Sequence, residues 1–330
     1  MRRPRFLALL ASLGLAAGAT EVVVACVGDD APTSVTTTDL DAAANDGASV
    51  VSDAASGADG ATLADGSPDA SPPACDLTKP FGPMVEIAEL TAPDAATGDL
   101  GAALSEDELT IWFTSQRGSA SETTYTAHRV DMGAAFSNPV PFPIGVNLLF
   151  GSFAPDASGI YAGSTNGTLD VSYGPRFDGG YGPFTVVSGI PSSASANEAT
   201  PFGYSSGSRL YYTALFPSRL VEGRCVGGAC TSVRELTELA GGNGFPVASR
   251  DDRTLYFASN QGGGAGTDIY RATRATDTDT WGNVTVAVGN PGTDEAPSWV
   301  SADGCRLYLS SNKKTNGANS TDIYVVTRPR

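Results

Sequence analysis

Polar residues able to bind a ligand recur along the chain at intervals of 45 to 52 residues, near the same point of a repeated sequence unit. Carboxylates and amides that converge on one opening can bind a cation, a sugar or a basic peptide. The alternative is a structural role, in which these side chains cap turns and hydrogen-bond neighbouring repeats. In the second repeat, Leu148 occupies the aligned position and a polar residue adjoins it. The residues of this predicted site are Asp99, Asn147, Glu198, Asn243 and Glu295.

Three of these residues are carboxylic acids, and two carboxyl groups about 5 to 10 Å apart can hydrolyse a glycosidic bond. Asp99, Glu198 and Glu295 are therefore candidates for a general acid and a base or nucleophile. Sugar-binding clefts usually expose aromatic side chains, but all three tryptophans fall within or beside predicted strands, where core packing is expected. We expect a binding protein without catalysis, and a glycoside hydrolase is the alternative.

The composition limits cofactor chemistry. The chain contains one histidine, His128, which excludes multi-histidine zinc and haem sites and argues against a histidine-dependent catalytic triad. Asp277 and Asp279 lie in a predicted loop and could help to hold calcium, but two residues are too few to define a site. We expect no cofactor, and calcium is the alternative.

Internal repeats organise the chain from residue 75 onward. Residues 105–125, 249–270 and 301–324 share one pattern, and weaker copies lie at 154–171 and 206–212. The aligned turn residues, separated by 49, 50, 45 and 52 residues, are Asp107, Asp156, Ser206, Asp251 and Asp303. This period fits a four-stranded propeller blade better than a helical repeat.

The repeats predict an all-β fold of five four-stranded blades. Apolar and aromatic runs such as 255–259 and 307–311 are bounded by polar turns, which is typical of strands buried on both faces. A fourth strand type follows only four repeats, and its remaining copy at 81–87 precedes the first repeat. We therefore expect the N-terminal strand to complete the last blade and close the ring. Six blades are the alternative, if the divergent region 204–243 contains an irregular blade.

The repeat pattern Ser-x-Asp-Gly-x-x-Leu-Tyr-Phe-x-Ser followed by Asp-Ile-Tyr resembles the WD40-like, TolB-type β-propeller repeat of exported bacterial proteins. The match is strong at 249–270 and 301–324, good at 105–125 and poor at 204–215. The resemblance covers residues 75–330 and implies a propeller that serves as a binding platform for an envelope protein, a peptide or a glycan. It implies no shared catalytic residues.

The N-terminus is predicted to be a signal peptide of residues 1–25. Arg2, Arg3 and Arg5 precede an apolar stretch at 6–19 that is short for a membrane span. Val23-Val24-Ala25-Cys26 resembles a bacterial lipobox, which predicts lipidation of Cys26 and a lipid anchor at the cell envelope. Ala17-Gly18-Ala19 fits ordinary signal peptidase, and free secretion is the alternative.

A tether is predicted at 27–74, after the lipidated residue, so that 26–74 forms the second segment of the chain. This stretch is dominated by Ala, Asp, Gly, Ser and Thr, and it cannot bury enough apolar surface to offset chain entropy. It carries nine of the negative charges in a chain whose net charge is -16.

The acidic balance argues against nucleic acid and anionic membrane surfaces as partners. We expect a monomer that contacts the membrane only through the lipid.

The remaining four cysteines predict two disulfides in an exported chain. Cys225 and Cys230 flank a Gly-rich segment short enough for a local bridge. Cys75 lies just ahead of the closing strand, and Cys305 lies in the blade which that strand completes. A Cys75–Cys305 bridge would close the ring covalently, and two free thiols are the alternative.

Charged residues recur in the repeats outside the predicted site. The aspartates of the turns are expected to hydrogen-bond their own backbone. Arginines follow the third strand of four repeats, where they form salt bridges between blades or an exposed basic row, and we expect them to be exposed to solvent. These arginines are Arg129, Arg176, Arg274 and Arg328.

Overall fold

The computed structural model describes a propeller domain within residues 75–330. The predicted signal peptide, Cys26 and the tether lie outside the described residues. No helix among the described residues is long and apolar enough to cross a membrane. The described ranges are 75–93, 98–118, 122–142, 148–154, 158–165, 169–177, 180–191, 198–202, 209–215, 218–239, 244–263, 266–313 and 320–330.

The strands are numbered in chain order, and the first ten are β1 and the strands of the first two blades. Strand β1 is Val85–Glu86. The first blade contains β2 (Asp99–Leu104), β3 (Thr110–Ser115), β4 (Thr123–His128) and β5 (Val140–Pro141). The second contains β6 (Leu148–Phe153), β7 (Gly159–Thr165), β8 (Leu169–Phe177), a short β9 (Gly180–Tyr181) and β10 (Thr185–Val186). The 3-10 helix Ala88–Leu90 joins β1 to the first blade.

The last three blades follow the same order. The third contains β11 (Glu198–Phe202), β12 (Arg209–Ala214), β13 (Arg219–Val226) and β14 (Ala229–Glu235), and the 3-10 helix Thr237–Leu239 follows it. The fourth contains β15 (Gly244–Ala248), β16 (Thr254–Ser259), β17 (Asp268–Thr273) and β18 (Gly282–Val288). The fifth contains β19 (Glu295–Val300), β20 (Arg306–Ser311), β21 (Asp322–Thr327) and β1.

These sheets form a five-bladed β-propeller, as the repeats predicted. Within each blade the strands are antiparallel, and the first strand of each blade contacts the first strands of its two neighbours, so that β2, β6, β11, β15 and β19 surround the central axis. The described part of region 204–243 belongs to the third blade. The six-blade alternative requires a further sheet in this region, and the described residues form none.

The repeated Ser-x-Asp sequence forms the turn between the first two strands of a blade. Ser249 Oγ donates to Asp251 (2.6 Å), and the backbone N–H of Thr254 donates to Ser249 Oγ (2.9 Å). Asp251 in turn accepts a hydrogen bond from the backbone N–H of Arg253 (3.2 Å). The turns at Ser105 and Ser301 make the same bonds. These aspartates therefore have the structural role expected of turn residues.

The buried apolar residues pack between the blades as well as within them. Leu255, Phe257 and Leu307 are at most 1% exposed and belong to one cluster that extends through most of the ring. A mostly apolar strand that is covered on both faces cannot show a polar and an apolar side, which explains the nearly continuous hydrophobic runs in the repeats. Burial between adjacent blades thus gives each sheet two supporting neighbours.

The N-terminal segment completes the fifth blade, as predicted. Strand β1 pairs with β21 in antiparallel register, with Val85 opposite Val325 and Glu86 opposite Tyr324. A disulfide joins Cys75 to Cys305, and a second joins Cys225 to Cys230. The first bridge closes a loop of 230 residues, so it attaches the start of the domain to its last blade.

We predict that the two disulfides differ in their effect on stability. In the chain-entropy model, the loop lengths correspond to about 5 kcal/mol for Cys75–Cys305 and about 2 kcal/mol for Cys225–Cys230. The Cys75→Ser/Cys305→Ser variant should therefore lose more unfolding free energy than the Cys225→Ser/Cys230→Ser variant in urea titrations. Equal losses would show that closure of the ring does not depend on the longer bridge.

Candidate functional site

The first residues of the innermost strands are the positions at which the sequence predicts a binding site. Asp99 begins β2, Glu198 begins β11 and Glu295 begins β19, so the three acids share one register in the ring. The side chain of Glu198 and the whole of Asn147 and Asn243 lie outside what the structure describes. The arrangement of the predicted site is therefore visible at Asp99 and Glu295.

Asp99 is completely buried and bound by groups of its own domain. Its carboxylate lies 2.8 Å from Arg117 Nη2 and accepts a hydrogen bond from the backbone N–H of Ala92 (2.7 Å). Its backbone N–H donates to the carbonyl of Thr321 (2.8 Å). These contacts join β2 to the segment before it and to the fifth blade, which is the structural role that the sequence left as the alternative.

Glu295 is also completely buried, but no cation pairs with it among the described residues. Oε1 accepts hydrogen bonds from Thr293 Oγ1 (2.5 Å) and Ser311 Oγ (3.0 Å), whereas Oε2 has no partner in the described part of the chain. Burial raises the pKa of Glu295 to about 7, although the two hydroxyl donors oppose this shift. Asp268 and Asp294 add smaller contributions that also raise this pKa.

A small cavity lies among the innermost strands. Phe150 and Phe245 make an edge-to-face contact with ring centroids 5.4 Å apart, and the cavity beside them has a volume of about 20 Å³. Each innermost strand carries a β-bulge, and Phe150, Thr200 and Phe245 have positive φ angles of 48° to 55°. Phe150, Thr200 and Phe245 line this cavity, which has room for about one water molecule.

The repeated arginines were predicted to be exposed, and for three of the four this prediction is wrong. Arg274 and Arg328 lie buried between blades, the side chain of Arg129 is 9% exposed, and only Arg176 is in the exposed class. The guanidinium groups of the other three arginines stack on Phe136, Trp281 and Phe81 at 4.0 to 4.6 Å from the ring centroids. Stacking on an aromatic face and bonding between blades compensate for the loss of water around these cations.

Two of these arginines belong to ion-pair networks between blades, which the sequence left as the alternative to exposure, but the partners of these arginines were not predicted. At the junction of the third and fourth blades, Asp252 pairs with Arg274 and lies 2.6 Å from Arg209 Nε. Tyr211 Oη donates to Asp252 (2.6 Å), and Glu222 lies 3.3 Å from Arg209 Nη1. The only signal in the sequence was the recurrence of these residue types at equivalent positions of the repeats.

The junction of the fifth and first blades has a related network. Glu108 accepts hydrogen bonds from Arg306 Nε (2.8 Å) and Tyr308 Oη (3.0 Å), and Arg129 Nη2 lies 3.9 Å from its carboxylate. Burial and the neighbouring Glu108 carboxylate raise the pKa of Tyr308 above its ordinary value. The charges at this junction are therefore neutralised by the protein itself.

Other candidate residues have ordinary structural contacts. Trp112, Trp281 and Trp299 are at most 3% exposed, in agreement with core packing. His128 is exposed at the end of β4 and shares a hydrogen bond with Thr110 Oγ1 (3.0 Å). Asp279 accepts from the backbone N–H of Thr276 (2.8 Å) within its loop. Among the described residues, no three acidic, histidine or cysteine side chains are grouped as metal ligands.

Comparison with known proteins finds similarity at the level of structure. No protein-family model matches the sequence, and neither does any curated protein. The chain is similar to the putative TolB from Agrobacterium tumefaciens, with 15% identity and a TM-score of 0.47 over 74% of this chain and 85% of that one. It is also similar to TolB from Acinetobacter baumannii, with 16% identity and a TM-score of 0.44 over 69% and 54% of the two chains.

A glycoside hydrolase is among the similar structures. A GH62 hydrolase in complex with xylotriose shares 10% identity and a TM-score of 0.48, over 76% of this chain and 97% of that one. Similarity at this level concerns the fold alone and does not separate a binding protein from an enzyme.

We predict that Glu295→Gln changes stability in a pH-dependent way. The folded-state pKa of about 7 lies above the ordinary value of 4.5, so Glu295 favours folding at low pH, and this contribution is lost as the pH rises from about 4.5 to 7. Glutamine avoids the cost of a buried charge, so the variant should be more stable than wild type at pH 8 by up to about 3 kcal/mol. At pH 4 the two should be nearly equal.

Urea unfolding of both proteins at pH 4 and pH 8 measures this difference. Asp99→Asn is the matched control, because it removes a buried carboxylate that is paired with Arg117. This control should lose about 3 kcal/mol at pH 8, since the arginine is left without its counter-charge. Destabilisation of Glu295→Gln at pH 8 by a similar amount would contradict the raised pKa of Glu295.

Proposed function

We propose that the protein is a non-catalytic binding platform of the bacterial cell envelope. In this proposal, Cys26 carries the lipid anchor, residues 27–74 form the tether, and the propeller presents a surface to an envelope protein, a peptide or a glycan. The repeat resemblance and the N-terminal sequence support export, and the closed, disulfide-bridged ring provides a rigid support for recognition loops.

The observation that carries the binding proposal is the burial of two of the three candidate catalytic acids. Asp99 and Glu295 have no exposed surface, and Asp99 is paired with Arg117. A general acid must come within hydrogen-bond reach of the glycosidic oxygen, and a base must reach water or the sugar. Neither carboxyl group meets this requirement in the described arrangement.

The second candidate function is glycoside hydrolysis, and one observation favours it. The pKa of Glu295, at about 7, is the value that a general acid requires near neutral pH. Glu198 begins a strand of the same ring and would be the partner carboxylate. This reaction requires a rearrangement that exposes Glu295, so the binding proposal needs fewer changes.

The binding proposal predicts no turnover of glycosides. Purified full-length protein should release no chromophore from a panel of nitrophenyl glycosides above the level of a denatured control. Turnover that is lost in both Glu198→Ala and Glu295→Ala would establish the hydrolase instead. Turnover that survives in both variants would indicate a contaminating enzyme, and repeating the purification from the double variant would identify it as such.

The anchor makes a separate prediction. In a bacterial host supplied with an alkyne fatty acid, the wild-type chain should be labelled and should fractionate with membranes. Cys26→Ser should abolish both properties while the propeller stays folded, because its disulfides do not involve Cys26. A soluble, unlabelled wild-type protein whose N-terminus is residue 20 would instead support cleavage after Ala19 and free secretion.

A further inference from the structure

Three junctions between blades repeat one arrangement around an arginine. In each, arginine Nε donates to the carbonyl of a turn residue in its own blade, and Nη2 donates to a tyrosine hydroxyl of the preceding blade. The distances are 2.7 to 3.3 Å for the first bond and 3.0 to 3.4 Å for the second. The three sets are Arg129 with Glu108 and Tyr308, Arg274 with Asp252 and Tyr211, and Arg328 with Gly304 and Tyr256.

The third junction, between the fourth and fifth blades, lacks the acidic member. Its turn residue is Gly304, which has a φ of 70°, close to the 58° of Glu108 and the 59° of Asp252. The backbone conformation is thus the same, but no carboxylate projects from it. The preceding blade also differs, because Thr254 stands two residues before the tyrosine, where Arg306 and Arg209 stand at the other two junctions.

Arg328 is therefore a buried cation without a buried counter-charge. It is 5% exposed, and its acceptors among the described residues are the carbonyls of Lys79 and Gly304 and the hydroxyl of Tyr256, all of which are neutral. Hydrogen bonds from Thr78 lower the pKa of the partly exposed Asp76, and Arg328 makes a smaller contribution in the same direction. A desolvated guanidinium in this state favours an added anion.

Because position 304 carries no acid and position 254 carries no arginine, this junction has room for such an anion. A cleft of about 470 Å³ is lined by Thr254, Tyr256, Gly304 and Arg328, and Arg271 contributes a second guanidinium. Arg271 Nε is buried and has no hydrogen-bond partner among the described residues. A smaller adjoining cleft of about 180 Å³ shares both arginines. This volume is within the range of small-molecule sites.

The other charged residues that line the cleft already have partners. Asp303 accepts from Ser301 Oγ (2.5 Å) and lies 3.5 Å from Arg306 Nη2. Asp251 accepts from Ser249 Oγ (2.6 Å) and from the backbone N–H of Arg253. Arg250 forms an exposed salt bridge with Glu106. Arg271 and Arg328 are thus the cations in the cleft that have no carboxylate partner among the described residues.

We infer that the cleft between the fourth and fifth blades binds the carboxylate group of a small organic acid. The ligand's carboxylate takes the place that Glu108 and Asp252 fill at the equivalent junctions, where it accepts hydrogen bonds from Arg328 and Arg271. A planar carboxylate matches the fork of a guanidinium group. This inference names a ligand class for the proposed binding platform and rests on that proposal.

Succinate is the probe for this site. Isothermal titration and thermal unfolding of the full-length protein should show saturable binding and a rise in Tm with succinate, whereas chloride at the same ionic strength should have no effect. Absence of succinate binding would overturn the inference. Tighter binding of inorganic phosphate than of succinate would overturn the carboxylate assignment, since the site would then select a tetrahedral anion.

Gly304→Asp tests the site by supplying the missing carboxylate from the chain itself. Aspartate already adopts this backbone conformation at Asp252, and a Cβ at position 304 would approach only the end of the exposed Leu77 side chain, at 3.2 Å. The variant should bind no succinate, and its Tm without ligand should exceed that of Gly304→Asn, which has nearly the same shape without the charge. Equal Tm values for the two variants would show that Arg328 requires no counter-charge.

Arg271→Gln separates ligand binding from structural support. The loss of one charge-assisted hydrogen bond should weaken succinate binding about ten-fold, while the Tm without ligand stays near that of wild type. Unchanged affinity would remove Arg271 from the site and contradict the inference. Failure of succinate to bind leaves the binding-platform proposal in place, whereas glycoside turnover overturns that proposal without affecting the cleft.

Discussion

Closure of the ring is the constraint on which the rest of the structure depends. Each sheet is covered by two neighbours, so a linear array of these blades would expose two apolar sheet faces and the edge of β21. Pairing of β1 with β21 removes that edge, and the Cys75–Cys305 bridge holds the pairing segment in place. Because the first and fifth blades meet only when the ring is closed, closure also assembles the ion pair of Glu108 with Arg306 and the hydrogen bond that Tyr308 donates to Glu108.

The junctions between blades show how a propeller of this size holds charges in its interior. A guanidinium group loses water when two blades pack together, and this cost is offset by an aromatic ring beneath it, a carbonyl and a tyrosine beside it, and in two cases a carboxylate. The same residue types recur because each repeat faces an equivalent neighbour. The acids that begin the innermost strands differ, since Asp99 has Arg117 as a partner and Glu295 has only hydroxyl donors.

Much of the fold follows from the sequence, because strand length, turn chemistry and repeat period are local properties. The Ser-x-Asp turns, the closing strand and both disulfides were predicted from such local signals together with their order in the chain. The burial of Arg274 and Arg328 was not predicted, because a periodic arginine has the same sequence signal on an exposed face and between two sheets. Likewise, Asp99 and Glu295 reach the expected strand starts, but Arg117, Thr293 and Ser311 determine their state, and no pattern links these residues to them.

Position 304 carries glycine, whereas the equivalent position of two other repeats carries an acid. Gly304 matches the aspartate-glycine turn of the repeat pattern, and the two acids are Glu108 and Asp252. An arginine between blades accompanies all three turns, and only Gly304 leaves it without a counter-charge. The acids at the other junctions therefore compensate for a charge common to the repeat, whereas the glycine leaves one copy of that charge available to a ligand. The repeats thus form the fold, and Gly304 distinguishes the junction of the fourth and fifth blades from the other two.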